Sequence, residues 1–197
     1  MKFLKLTLLA FTMIAGLTVS AQKIKLEDGS VDAIKSETTF NYEFTYDNMA
    51  VGKFDKEADY VKKKTDDYNA KDEGRGDGWA KKWVSDRESQ FEPKFREMFN
   101  KYAESTTKKD SKYTIIFHTV FTEPGYNTGM GMIGGKKAAQ IDAEITIVET
   151  ADRSKKVAVI RMDNCPGSSF FGADIDTGAR IAECYAKAGK SLAKFIK

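Results

Sequence analysis

The sequence predicts an α+β fold: a single, largely antiparallel sheet of about four strands, with helices packed on one face. Three stretches carry that prediction. Phe40, Tyr42, Phe44 and Tyr46 alternate with polar residues, the period-two pattern of a half-buried strand. Tyr113 to Val148 reads as strand, glycine-rich loop, strand. Gly178 to Ile196 places Ile181, Cys184, Tyr185, Ala188, Leu192, Phe195 and Ile196 at spacings of three and four, the stripe of an amphipathic helix.

Residues 1–21 read as a targeting segment. Lys2 and Lys5 supply a positive start, Leu6 to Leu17 an apolar run, and Val19-Ser20-Ala21 a small-residue cleavage site. The apolar run is short for a membrane span of about 20 residues. The expectation is therefore an exported chain, periplasmic or secreted after signal-peptide cleavage, with no transmembrane segment and one domain over 22–197. The formal charge of +3 falls to +1 once Lys2 and Lys5 are removed. So small a charge exerts no global pull toward nucleic acid.

Past the leader, two β-like pieces flank Asp28-Gly29, where a small hairpin is possible. The strand around Phe40 to Tyr46 follows; its aromatic stripe reads as core rather than as a sugar or lipid platform. A helical insert is expected over about residues 55–103. Its first part carries a thin apolar face at Ala58, Val61, Thr65 and Tyr68. Glycines 74, 76 and 78 break it. The second part, Trp79 to Tyr102, presents an aromatic face to the sheet. Pro93 removes a backbone donor, so it belongs in the first turn of a new segment, with a bend near Phe91.

In the central hairpin, Tyr113, Ile115, Phe117 and Phe121 share one face and Ile116, His118 and Val120 the other, as in an interior strand. Ile141, Ala143, Ile145 and Ile147 oppose Gln140, Asp142, Glu144 and Thr146, as in a strand wet on one side. Val157 to Met162 is the last strand. Asp176 or Thr177 is the expected cap of the closing helix.

From about Tyr113 onward this layout resembles small α+β domains of bacterial envelope proteins: the amino-terminal domain of TolB and the lipoprotein activators of penicillin-binding proteins. Gly178, Arg180, Ile181, Ala182, Glu183, Tyr185, Ala188, Gly189 and Leu192 carry the resemblance. It implies an interaction module without catalytic residues. The helical insert and the lack of a lipidation cysteine near the leader depart from that pattern.

Several motifs invite chemistry. Gly129 to Gly134 matches GxGxxG, but a strand follows where a dinucleotide cradle needs a helix N-terminus, so no cofactor is expected. The loop reads instead as a contact tip, with Tyr126, Met130, Met132 and Ile133 as contact candidates; Asp142 and Glu144 on the wet strand face join them. Arg75-Gly76-Asp77 matches an integrin-type tripeptide in a flexible, glycine-rich linker. Asp176-Thr177-Gly178 resembles an aspartic-protease signature but stands where a helix begins. Cys165 and Cys184 can form a disulfide, or Cys184 can be a small core residue beside a free Cys165. Cys165 with His118, the sole histidine, is the one nucleophile–base pair available. No metal-ligand spacing is present. The reading is a non-catalytic binding or assembly module of the bacterial envelope, whose partner is another envelope protein or a cell-wall component. The competing class is a small hydrolase using Cys165 and His118 or the acidic strand face.

Overall fold

The structure, a computed structural model, describes residues 22–127, 136–167 and 177–197. The leader, the GxGxxG stretch with Met130, Met132 and Ile133, and Asp176 lie outside the described residues.

The elements run β1 (Lys23–Gly29), a 3-10 turn (Asp32–Ile34), β2 (Thr39–Thr45), β3 (Ala50–Val51), α1 (Glu57–Asn69), α2 (Arg75–Asp86), a π-turn (Arg87–Phe91), α3 (Glu92–Ala103), β4 (Thr106–Thr107), β5 (Tyr113–Glu123), β6 (Tyr126–Asn127), β7 (Lys136–Lys137), β8 (Gln140–Glu149), β9 (Lys156–Pro166) and α4 (Thr177–Ile196). The class is α+β. The sheet, however, is larger than four strands and mixed. Seven strands take the order β1-β9-β8-β5-β2-β4, with β3 beside β5. The pairs β1/β9, β9/β8 and β8/β5 are antiparallel; β2/β5, β2/β4 and β3/β5 are parallel.

The parallel half has a topological cause. The stretch expected as an insert is a crossover: it leaves the end of β2, runs through α1 to α3 and brings the chain back to the end of the sheet where β2 began. Strands joined by such a helical crossover must run the same way. The two-residue strands β3 and β4 carry no alternation to read. The possible hairpin at Asp28-Gly29 is instead one strand, β1, pairing along β9.

One face of the sheet is the core. Phe40, Tyr42, Ile115, Phe117, Ile145, Ile147, Ile160 and Met162 are buried there beneath Phe95 and Phe99 of α3 and Ile181, Tyr185 and Leu192 of α4. Phe95 and Phe117 meet at 4.7 Å between ring centroids, in a tilted pair. The helices cross closely at Gly189, where a β-carbon would lie 2.3 Å from the Phe95 carbonyl oxygen. The aromatic stripe of Trp79 to Tyr102 divides. Phe91, Phe95 and Phe99 pack toward the sheet and α4, whereas Trp79 and Trp83 extend the core onto Tyr60 of α1. The expected bend is the π-turn: the Glu92 N–H donates to the Arg87 carbonyl, five residues back, and Pro93 follows in the first turn of α3. The wider turn gives the chain a place for a residue without an amide donor.

Candidate ligand groove

The sequence-predicted nucleophile and base do not meet. Alternation after Met162 would turn Cys165 outward, but a bulge at Asn164, whose φ is +56°, shifts the register and puts Cys165 on the core face, fully buried, with its Sγ donating to the Cys184 carbonyl at 3.2 Å. His118 follows Phe117 and precedes Thr119, both buried in the core, so its ring projects from the opposite face. Burial pushes the Cys165 thiol up to about 12, far from a nucleophilic thiolate. Cys184 is also buried and its thiol is likewise raised, chiefly by burial. Cys165 and Cys184 are both free and buried in this structure.

The outer face carries His118, Asp142 and Glu144. Register aligns Thr45, His118, Glu144, Arg161 and Lys25 in one row across five strands. His118 Nδ1 and Thr45 Oγ1 share a hydrogen bond of 2.8 Å. Asp142 is occupied locally, accepting from the Asn164 backbone N–H at 2.7 Å. Arg161 Nε donates along its own strand, to Asp163 Oδ1 at 2.7 Å.

A concave site lies at the far end of the β5–β8 hairpin. A groove of about 550 Å³ is walled by Phe54, Tyr60, Phe121 and Tyr126 and rimmed by Lys53, Lys64, Lys137 and Glu123. Four segments build it. β3 and its following turn bring Lys53 and Phe54, α1 brings Tyr60 and Lys64, the end of β5 brings Phe121 and Glu123, and the β6–β7 pair brings Tyr126 and Lys137. The Pro124-Gly125 turn closes the end. Gly125 has φ +67°, a left-handed conformation that suits glycine, and a β-carbon there would lie 2.5 Å from the Lys137 carbonyl oxygen. Glu123 is already committed: it accepts from the Gly125 N–H at 3.1 Å and from Lys137 Nζ at 2.5 Å. Tyr126 remains half exposed, at 50%. Behind the wall, Arg180 Nε donates to the Pro124 carbonyl at 3.4 Å. Burial is the main cause that raises the Tyr60 phenol above its ordinary range, so it stays a neutral hydroxyl in this wall.

A second cleft, about 820 Å³, opens beside the π-turn and is lined by Phe44, Tyr46, Val61, Val84, Arg87 and Glu92 among others. Arg87 and Glu92 of its lining are paired. Arg87 bonds Glu57, Trp83 Nε1 donates to the same carboxylate oxygen at 2.5 Å, and Arg96 lies 3.6 Å from Glu92. The Arg87 guanidinium stacks 4.1 Å over the Tyr46 ring.

Of the sequence candidates, Tyr126 belongs to the groove, Asp142 and Glu144 to the outer face. Lys53, Phe54, Tyr60, Lys64, Glu123 and Lys137 carry no sequence motif; only the Pro124-Gly125 turn beside Tyr126 marks the place. The Arg75-Gly76-Asp77 tripeptide is not in a flexible loop. It forms the first turn of α2, with Gly76 N–H donating to Asn69 Oδ1 at 2.6 Å and the Arg75 guanidinium 5.1 Å from the Tyr68 ring centroid. Thr177 and Gly178 open α4, not an extended protease loop. Among the described residues no three His, Cys, Asp or Glu side chains gather as a metal site, and no helix is long and apolar enough to cross a membrane.

No family model matches this chain, and no curated protein matches it. Among solved structures it is similar to a chain of the PelC dodecamer from Paraburkholderia phytofirmans, at 9% identity and a TM-score of 0.40, over 87% of this chain and 97% of that one. A likeness so distant carries no argument about this chain.

Proposed function

We propose that this chain is an exported, non-catalytic binding or assembly module of the bacterial cell envelope, and that it meets its partner at the end of the β5–β8 hairpin. The leader and the resemblance of the region after Tyr113 to envelope interaction domains support the setting. The observation that carries the contact site is Tyr126: a half-exposed aromatic on the rim of a concave groove, at the base of the glycine-rich loop. Aromatics in such positions anchor interfaces, because they bury a large area with few rotors to freeze. Cys165 and His118 stand on opposite faces of the sheet, which favours the binding reading over the thiol-enzyme alternative.

The test is a photo-crosslinking amino acid in place of Tyr126, in the full chain and in the cells that make it. The expected product is an adduct with a defined envelope protein or cell-wall component, absent when the probe replaces exposed Glu104. Equal adducts at the two positions, no adduct at Tyr126, or a chain retained in the cytoplasm would each defeat the reading.

A further inference from the structure

The two clefts differ in how their charges are matched. In the cleft at the π-turn, Lys81 and Arg87 stand with Glu88 and Glu92 among the lining residues, so the lining is balanced. In the groove, three lysines line the wall with a single carboxylate, Glu123. That carboxylate is already bonded to Lys137 and to the Gly125 amide. Among the described residues Lys53 and Lys64 form no ion pair; their ammonium groups rest 5.8 Å and 5.6 Å from the ring centroids of Phe54 and Tyr68. Each ammonium has three donors, more than a ring contact engages. Between the lysines, Phe54, Tyr60, Phe121 and Tyr126 offer flat apolar surface. The volume falls within the range of small-ligand sites, and aromatic walls with a few convergent charges are the usual make-up of one.

We infer that this groove binds a small anion that carries a flat apolar face, its negative group held by Lys53 and Lys64 and its apolar face against Tyr126 and Phe54. Lysine is a point charge without the planar fork of arginine, so it selects for charge more than for the shape of the anion. The aromatic walls supply the second requirement, a face to stack. An aromatic acid and a sugar acid both meet this description, and the test separates them. The inference deepens the contact site proposed above and rests on it.

The experiment follows backbone amide shifts in isotope-labelled protein during titration with phenylacetate or with glucuronate, each paired with its neutral counterpart, benzyl alcohol or glucose. The expected result is saturable shifts at Gly52, Gly125 and Tyr126 with one of the acids, with its neutral counterpart weaker by roughly tenfold or more, the ratio that ~1.4 kcal/mol corresponds to. The acid that saturates identifies the source. Raising ionic strength should weaken binding, because the site is open to solvent. In the double variant Lys53→Gln, Lys64→Gln affinity should fall by a similar factor. Tyr126→Ala should lower affinity while leaving the salt dependence in place. Both variants alter surface side chains, and an unchanged thermal midpoint confirms that they remain folded. Neutral counterparts binding as tightly as the acids, an unchanged affinity in the lysine variant, or no shift with either acid would overturn the inference. If Tyr126 still crosslinks its envelope partner while neither acid binds, the anion inference falls alone; if the crosslink fails as well, the contact site falls with it.

Discussion

The carboxylate of Asp86 fills the space that a β-carbon on Gly178 would need: Asp86 Oδ2 stands 2.1 Å from that position. Asp86 closes α2 and is almost fully buried, held by Lys82 Nζ at 2.8 Å and Gln90 Nε2 at 2.7 Å. Gly178 lies in the first turn of α4, where a negative charge is favoured by the helix dipole. One contact thus joins the crossover helices to the closing helix.

Gly178→Ala should therefore destabilise the fold by about 1–3 kcal/mol, the usual cost of forcing extra volume into a packed site. Urea unfolding would measure it. Introduced into an Asp86→Ala background, the same change should cost less, because the obstructing carboxylate is gone. Equal costs in the two backgrounds would contradict the contact.

Tyr185→Phe should also be destabilising. The Tyr185 hydroxyl and Thr119 Oγ1 share a bond of 2.6 Å inside the core. Removing one partner leaves Thr119 buried and unpaired, a loss of about 1–3 kcal/mol. Thr119→Val together with Tyr185→Phe should recover part of the loss, as read from denaturation midpoints.

Glu92 makes stability fall as pH rises. Burial raises its carboxyl above the ordinary value of 4.5, outweighing nearby Arg96. The folded chain then keeps a proton that the unfolded chain has released. This contribution is complete below pH 4.5 and is lost as pH rises through the higher folded value. Glu92→Gln abolishes the titration, so thermal midpoints measured from pH 4 to neutrality should show the variant gaining steadily on the parent. A constant difference across that range would refute it.

The cysteines should resist chemistry in the native state. With the Cys165 thiol raised by burial from 9.0 to about 12, little thiolate forms at pH 8. Iodoacetamide should leave native protein unmodified and add two groups per chain in denaturant without reductant. Two mass units missing from the unreduced protein would show a disulfide instead. Because the folded state keeps these protons above pH 9 while the unfolded chain loses them, stability should also decline as pH climbs beyond 9.

Much of the fold was legible because periodicity is local. Alternation at Phe40–Tyr46 and Ile141–Ile147 marked strands, and the stripe on α4 marked a helix, since each element must turn one face inward. Pro93 announced the break in the crossover helix, though not that it would be a π-turn. Strand direction was not legible. Nothing in the alternation of Asn41 to Thr45 says whether Thr114 to His118 lies parallel or antiparallel beside it; the path of α1 to α3 decides that. The groove was equally hidden, because Lys53, Lys64, Glu123 and Lys137 come from four separated segments and none of them forms a motif.

The sequence by itself determined that Phe40, Tyr42, Ile141, Ala143, Ile145, Ile147 and the α4 stripe turn inward and that the helix breaks before Pro93, because these depend on side-chain spacing and backbone chemistry within a few residues. Only the tertiary structure decided that Cys165 and His118 stand on opposite faces, that Arg75-Gly76-Asp77 is locked into a helix, and that Lys53 and Lys64 share a groove with Tyr126. Those are relations between distant segments, and they are set by how the crossover and the hairpin pack, through contacts that no local pattern encodes.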